Sequence, residues 1–249
     1  MTKWLPLLCV AFAAQARAGV RIESEVTVNA NKPVDSVLEI QGDRFRINLL
    51  DHASGNVLRS TIFDGARILQ LKAKDKTYTV MTMADLKTET ERLEQMKAAM
   101  PADARAQLDK GETAAPVFTF TRAPGGETMA GIACENYSMT KDGKNGGLVC
   151  LAPWKRTGLV TKADMAPMRK LAEQVRSFGN HSIGDLTMGP DFDKWPGWPL
   201  GIAGPDGRRR TRVTKISRTT FPASNFEVPT DYSLKPTPML GDGPHGHSP

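Results

Sequence analysis

Arg44-Phe45-Arg46-Ile47-Asn48-Leu49 alternates polar and apolar side chains at a period of two, the pattern of a β-strand with one dry face. The same pattern lies on both sides of it. Upstream, Val20, Ile22, Val26 and Val28 alternate with Arg21, Glu23, Glu25 and Thr27, and Val37 to Ile40 leads through Gln41-Gly42-Asp43 into Arg44. Downstream, Ser54-Gly55-Asn56 turns the chain into Val57 to Phe63, and Asp64-Gly65 turns it back through Ile68 to Leu71. Asp75-Lys76 then precedes Thr77 to Met81. Six short strands joined mostly by tight turns predict an antiparallel meander.

Beyond it the period changes. Thr82-Met83-Ala84-Asp85 reads as a capping box, and Leu86, Leu93, Met96 and Met100 recur at helical spacing up to Pro101. A short helix is expected from there to Asp109, ended by Gly111. Strands are expected at Val117 to Thr121, Thr128 to Tyr137 and Leu148 to Trp154. A second helix is expected from about Asp164 to Phe178, its stripe made of Met165, Met168, Leu171, Val175 and Phe178. Pro190 to Pro205 reads as a Gly/Pro-rich loop around Trp195-Pro196-Gly197-Trp198-Pro199. Asp206-Gly207 then turns the chain into Arg208-Arg209-Arg210-Thr211-Arg212 and a last long strand.

The two ends read differently. Lys3, an apolar run from Trp4 to Ala14 and Ala16-Arg17-Ala18 form a secretory signal peptide over residues 1–18, with cleavage expected after Ala18 and a periplasmic or extracellular destination. The apolar run is about half the length that spans a bilayer. Bulky Leu8 before Cys9 argues against lipidation there. Residues 235–249 are Pro, Gly and polar residues without apolar periodicity, a tail expected to be disordered behind one domain over 19–234. Cleavage leaves Cys134 and Cys150, which flank Asp-Gly and Asn-Gly turn signals in a hairpin. In an oxidising compartment they are expected to form a structural disulfide.

The order of signal peptide, meander, helix, hairpin, helix and final strands resembles the LolA-like superfamily of exported bacterial lipoprotein carriers and their relatives. Local features similar to one branch of it are Phe63-Asp64-Gly65 with Asp75-Lys76-Thr77-Tyr78, and Gly131-Ile132-Ala133-Cys134-Glu135-Asn136-Tyr137. A third is Gly197-Trp198-Pro199-Leu200 with the closing Pro222-Ala223-Ser224-Asn225-Phe226-Glu227-Val228-Pro229-Thr230-Asp231-Tyr232. The resemblance implies an α+β fold: a strongly curved antiparallel sheet, an unclosed half-barrel, with helices packed on its concave side. In the carriers, the space between sheet and helices receives acyl chains.

The chemistry of the side chains narrows the function further. Hydrophobic residues are 40% of the 249 and charged residues 24%, which excludes a mostly disordered chain, and aromatics at 6% leave packing to aliphatic and Met side chains. There is no Gly-x-Ser-x-Gly elbow, no zinc-type cysteine cluster and no nucleophile–base set, so an enzyme is not expected and neither is a cofactor. The expected function is a non-enzymatic binding module for a hydrophobic small molecule, lipid or acyl chain. Its lining is expected to be Phe45, Ile47, Leu49, Leu86, Leu93, Met96, Met168 and Leu171, which are equally core candidates. The alternative is a protein-interaction or envelope stress-sensor domain with a filled core. Trp195, Trp198, Arg208, Arg209, Arg210 and Arg212 would then dock another envelope protein or an anionic membrane surface. A third alternative, Cu(I) held by Met thioethers, ranks last. Nucleic acid is disfavoured: export and the absence of interleaved aromatics argue against it, as does a charge of +6 that drops by two with Lys3 and Arg17.

Overall fold

The alternating N-terminal segments form β1 (Gly19–Val28), β2 (Val34–Gln41), β3 (Arg44–Asp51), β4 (Val57–Phe63), β5 (Arg67–Lys72) and β6 (Thr77–Thr82), each antiparallel to the next. The computed structural model describes residues 18–28, 33–105, 117–176, 194–207 and 209–236. Residues 1–17 of the expected signal peptide, all but the first two residues of the expected tail, and Arg208 lie outside that range. So do the expected helix stops at Gly111 and Phe178. The meander is followed by α1 (Met83–Ala99), whose capping box is formed: Asp85 N donates to Thr82 Oγ1 and Thr82 N donates to Asp85 Oδ2. Pro101 follows the end of α1, because the residue before a proline is driven out of helical geometry.

The second half supplies β7 (Phe118–Met129), β8 (Ile132–Lys141) and β9 (Lys144–Pro153), the short helix α2 (Trp154–Thr157) and α3 (Ala166–Arg176). It ends with β10 (Gly197–Ala203), β11 (Arg209–Thr219) and a two-residue β12 (Ser233–Leu234). All twelve strands join one sheet in the order β12-β6-β5-β4-β3-β2-β1-β11-β10-β9-β8-β7. The β1–β11 pairing therefore joins the meander to the second half, with Val20 opposite Arg218 and Ile22 opposite Ile216. β12 runs parallel to β6, so the sheet is mixed rather than purely antiparallel.

The sheet is unclosed, as expected, with β12 and β7 at its two edges, but the expected half-barrel is corrected on its curvature: the sheet is not strongly curled. A half-barrel has one dry inner face, whereas here both faces bury apolar side chains. Phe45, Phe63 and Ile68 point to a face covered by α3 and the first turn of α1. Their neighbours Ile62 and Leu69 point to the other, covered by Phe221, Phe226 and the run that follows. Each face is covered by a separate stretch of chain, which removes the need for strong curvature. The ladder is interrupted locally, at bulges such as those between Arg122 and Gly126 and between Pro199 and Gly201.

Three expectations about elements also change. Thr128 to Tyr137 is not one strand: Ala130 and Gly131, with φ of 50° and 75°, turn the chain between β7 and β8. Trp154 starts α2 instead of ending a strand. The Gly/Pro-rich loop contains β10, whose first five residues are all buried.

Candidate functional site

The helix face of the sheet is the one place where the expected lining residues meet. Val20, Ile22, Ile40, Phe45, Phe63 and Ile68 form its floor, Leu86, Met168 and Leu171 come down from the helices, and Met165 from the turn before α3. Five thioethers share this junction: Met129, Met165 and Met168 are buried in it, and Met81 and Met83 pack against its margin. At the β7–β10 end Trp198 is buried beside Trp154, their rings 5.9 Å apart.

α3 reaches this floor on polar tethers as well as apolar contact. Its approach is capped by Asp164, whose Oδ2 accepts from Thr161 N and Thr161 Oγ1. Arg218 donates to both oxygens of the same carboxylate, at 2.8 and 2.6 Å. Burial opposes the Asp164 charge, but the bonds from Arg218 and Thr161 outweigh it and hold the carboxyl below the ordinary aspartate value. One turn along, Lys170 Nζ donates to Gly65 O at 2.8 Å, tying the exposed side of α3 to the β4–β5 turn. Sequence patterning did not single out Arg218. The one signal was a charged residue at a dry-face position of β11, opposite Val20.

Of the expected lining, Phe45, Leu86, Met168 and Leu171 are buried together and Ile47 packs against them half-buried. Leu49 is half-buried and outside that cluster. Met96 is 45% exposed and is corrected from the lining, which α1 reaches through Leu86 in its first turn. The side chain of Leu93 lies outside the described residues.

The docking residues divide. Trp195 and Trp198 are corrected from exposed anchors to core residues at 6% and 5% exposure. Trp195 lies on the outer face against Phe118 and Phe120, with ring centroids at 5.7 and 4.8 Å. Arg210 and Arg212 are exposed on β11, while the side chain of Arg209 is outside the described residues along with Arg208. Cys134 and Cys150 are bonded across the β8–β9 hairpin with Cα atoms 5.4 Å apart. Asp142 and Gly143, both at positive φ, make its turn.

On the outer face, the closing run is held by a polar knot. Asn225 Nδ2 donates to Glu39 Oε2, Arg46 Nη1 donates to Asn225 O, and Arg21 pairs with Glu39 Oε1. Burial pulls Arg46 below its ordinary value, with Glu39 and Tyr232 opposing that pull. Among the described residues no group of His, Cys, Asp and Glu has a metal-binding arrangement.

No protein family matches the sequence, and no curated protein matches it either. Among solved structures the chain is similar to an uncharacterized conserved protein from Thermus thermophilus, at 8% identity and a TM-score of 0.45 over 89% of this chain and 91% of that one. It is also similar to MucB, at 12% identity and a TM-score of 0.36 over 88% and 60%. The Pseudomonas aeruginosa MucA/MucB complex gives 11% identity and a TM-score of 0.37 over 86% and 56%. The chain thus spans less than two thirds of the MucB chains it resembles.

Proposed function

We propose that the chain is a non-enzymatic, exported envelope-binding module on a LolA-like sheet, taking a lipid or other acyl chain between the helix face and α3. The observation that carries this reading is the construction of that junction. Its lining is aliphatic, phenyl and thioether side chains, of which the thioethers repack readily, and these offer neither nucleophile nor base. The helix that covers it is anchored by the Asp164–Arg218 pair and the Lys170–Gly65 bond, contacts that can re-form after α3 lifts. The Cys134–Cys150 bond suits an oxidising compartment such as the periplasm.

A second reading, an envelope stress-sensor or protein-interaction domain, is favoured by the burial of Phe45, Leu86, Met168 and Leu171, which fill the junction from the protein itself. Native mass spectrometry of protein recovered from the periplasm in mild buffer, before and after organic extraction, separates the two. The lipid-binding reading expects an extractable adduct of lipid mass. A bare chain in both spectra overturns it in favour of the filled-core domain.

A further inference from the structure

The two edges of the sheet are treated differently by the sequence. At one edge, β12 is two residues long and is followed by Lys235 and Pro236, a charge and a residue without an N–H. These are common devices against edge-to-edge pairing. At the other, β7 runs for twelve residues, and its second half is guarded by Arg122, Pro124 and the bulge that ends at Gly126. Its first half is guarded only at its two ends, by Pro116 before Val117 and Arg122 after Thr121. Val117-Phe118-Thr119-Phe120-Thr121 contains no charge, proline or glycine, and every residue in it is β-branched or aromatic. Val117 is 62% exposed, Thr119 and Thr121 are exposed, and among the described residues no strand lies beyond β7.

The hydrogen-bond phase of this edge is fixed. Asp142 N donates to Val117 O, and Val117 N donates to Asp142 Oδ1, so Val117 turns both backbone groups toward the β8 hairpin. Phe118 lies opposite Lys141 and Thr119 opposite Thr140. In an antiparallel ladder the direction alternates, so Thr119 and Thr121 also face inward. Phe118 and Phe120 therefore present their N–H and C=O groups outward. Two outward residues separated by one inward residue form a self-complementary pattern. A second copy laid antiparallel about a two-fold axis through Thr119 puts Phe118 opposite Phe120 at two hydrogen-bonded pairs, and Thr119 opposite Thr119 between them.

We propose that Val117–Thr121 is a homodimerisation edge, pairing two copies of this chain through β7 into one continuous sheet with its dyad at Thr119. The pairing continues the aromatic row on the outer face, because Phe118 and Phe120 already pack on Trp195 and each gains an aromatic opposite it. Five residues a side make a small interface, so the dimer is reversible and concentration-dependent. The pairing is independent of ligand binding on the helix face.

The test uses the full chain carrying Cys9→Ser, so that no unpaired thiol remains. Sedimentation velocity over a concentration series is expected to show the weight-average mass rising from one chain toward two. Thr119→Lys and Thr119→Glu are each expected to stay at one chain, because like charges meet at the dyad, and their equimolar mixture is expected to dimerise again. Thr119→Cys is expected to cross-link on mild oxidation, since directly opposed residues of a non-hydrogen-bonded pair lie within disulfide reach, whereas Thr121→Cys is not. Circular dichroism confirms that each variant is folded. A wild type that stays at one chain at every concentration overturns the proposal, whether bare or carrying a foreign peptide along β7. So does a dimer that survives Thr119→Lys, or one that cross-links equally through residue 121.

Discussion

Asp164 places one negative charge beside the start of α3, and its partners set the pH at which that charge is lost. Its carboxyl titrates below the unfolded value of about 3.9 because Arg218 and Thr161 stabilise the anion more than burial penalises it. The stability this contributes is fully present above about pH 4 and drains away as pH falls through the lower, folded value. Nothing is lost on the alkaline side. Asp164→Asn is expected to cost about 1.5–3 kcal/mol at neutral pH, the usual worth of hydrogen bonds to a charged group. It is also expected to flatten the acid limb of a plot of melting temperature against pH relative to wild type. An equally steep acid limb in the variant would place the acid sensitivity elsewhere. This pair shows where patterning stops. Asp164 was legible as the start of a helix, but its partner is 54 residues away, and only the β1–β11 pairing brings Arg218 under α3.

At the scale of elements, β10 shows why a strand can read as a loop. Gly and Pro are depleted in strands, and Trp195-Pro196-Gly197-Trp198-Pro199 is rich in both. Each has a local cause in the structure. A Cβ on residue 197 would lie 2.2 Å from Ala152 O, so β9 approaches too closely for any side chain there. Pro199 stands next to the bulge, where the ladder is already interrupted. Gly197→Ala is therefore expected to force β9 and β10 apart, costing about 1–3 kcal/mol as an overpacking change, read as a lower urea midpoint with the fold retained. The obstructing atom is backbone and has no rotamer to change. By contrast, the six-strand meander and the start of α1 were legible, since their signals are local: alternation, Gly-containing turns and a capping box. The hairpin between β7 and β8 was not, because Ala130 adopts a positive φ without the Asn or Asp that usually announces it.

At the scale of the molecule, the decisive contact is the one least visible in the sequence. β1 pairs with β11 nearly 200 residues later, and that seam makes one sheet of two halves. The two apolar clusters of the outer face lie toward opposite ends of this sheet: Ile62, Leu69 and Leu71 under Phe221 and Phe226 at the meander end, and Val149 and Leu151 under Trp195 at the other. Phe226 is 2% exposed and meets Phe221 edge-on, with ring centroids 6.0 Å apart. Phe226→Ala is expected to cost about 3–5 kcal/mol, the range for removing a buried phenyl ring. Where that loss is felt tests the seam. Trp154, Trp195 and Trp198 all lie at the β7–β10 end and outside the cluster that holds Phe226, so their fluorescence reports the surroundings of that end. If the β1–β11 seam makes the sheet one cooperative unit, fluorescence and far-ultraviolet circular dichroism shift together to the same lower urea midpoint. If the halves are coupled only loosely, the circular dichroism transition splits and the tryptophan transition stays at the wild-type midpoint.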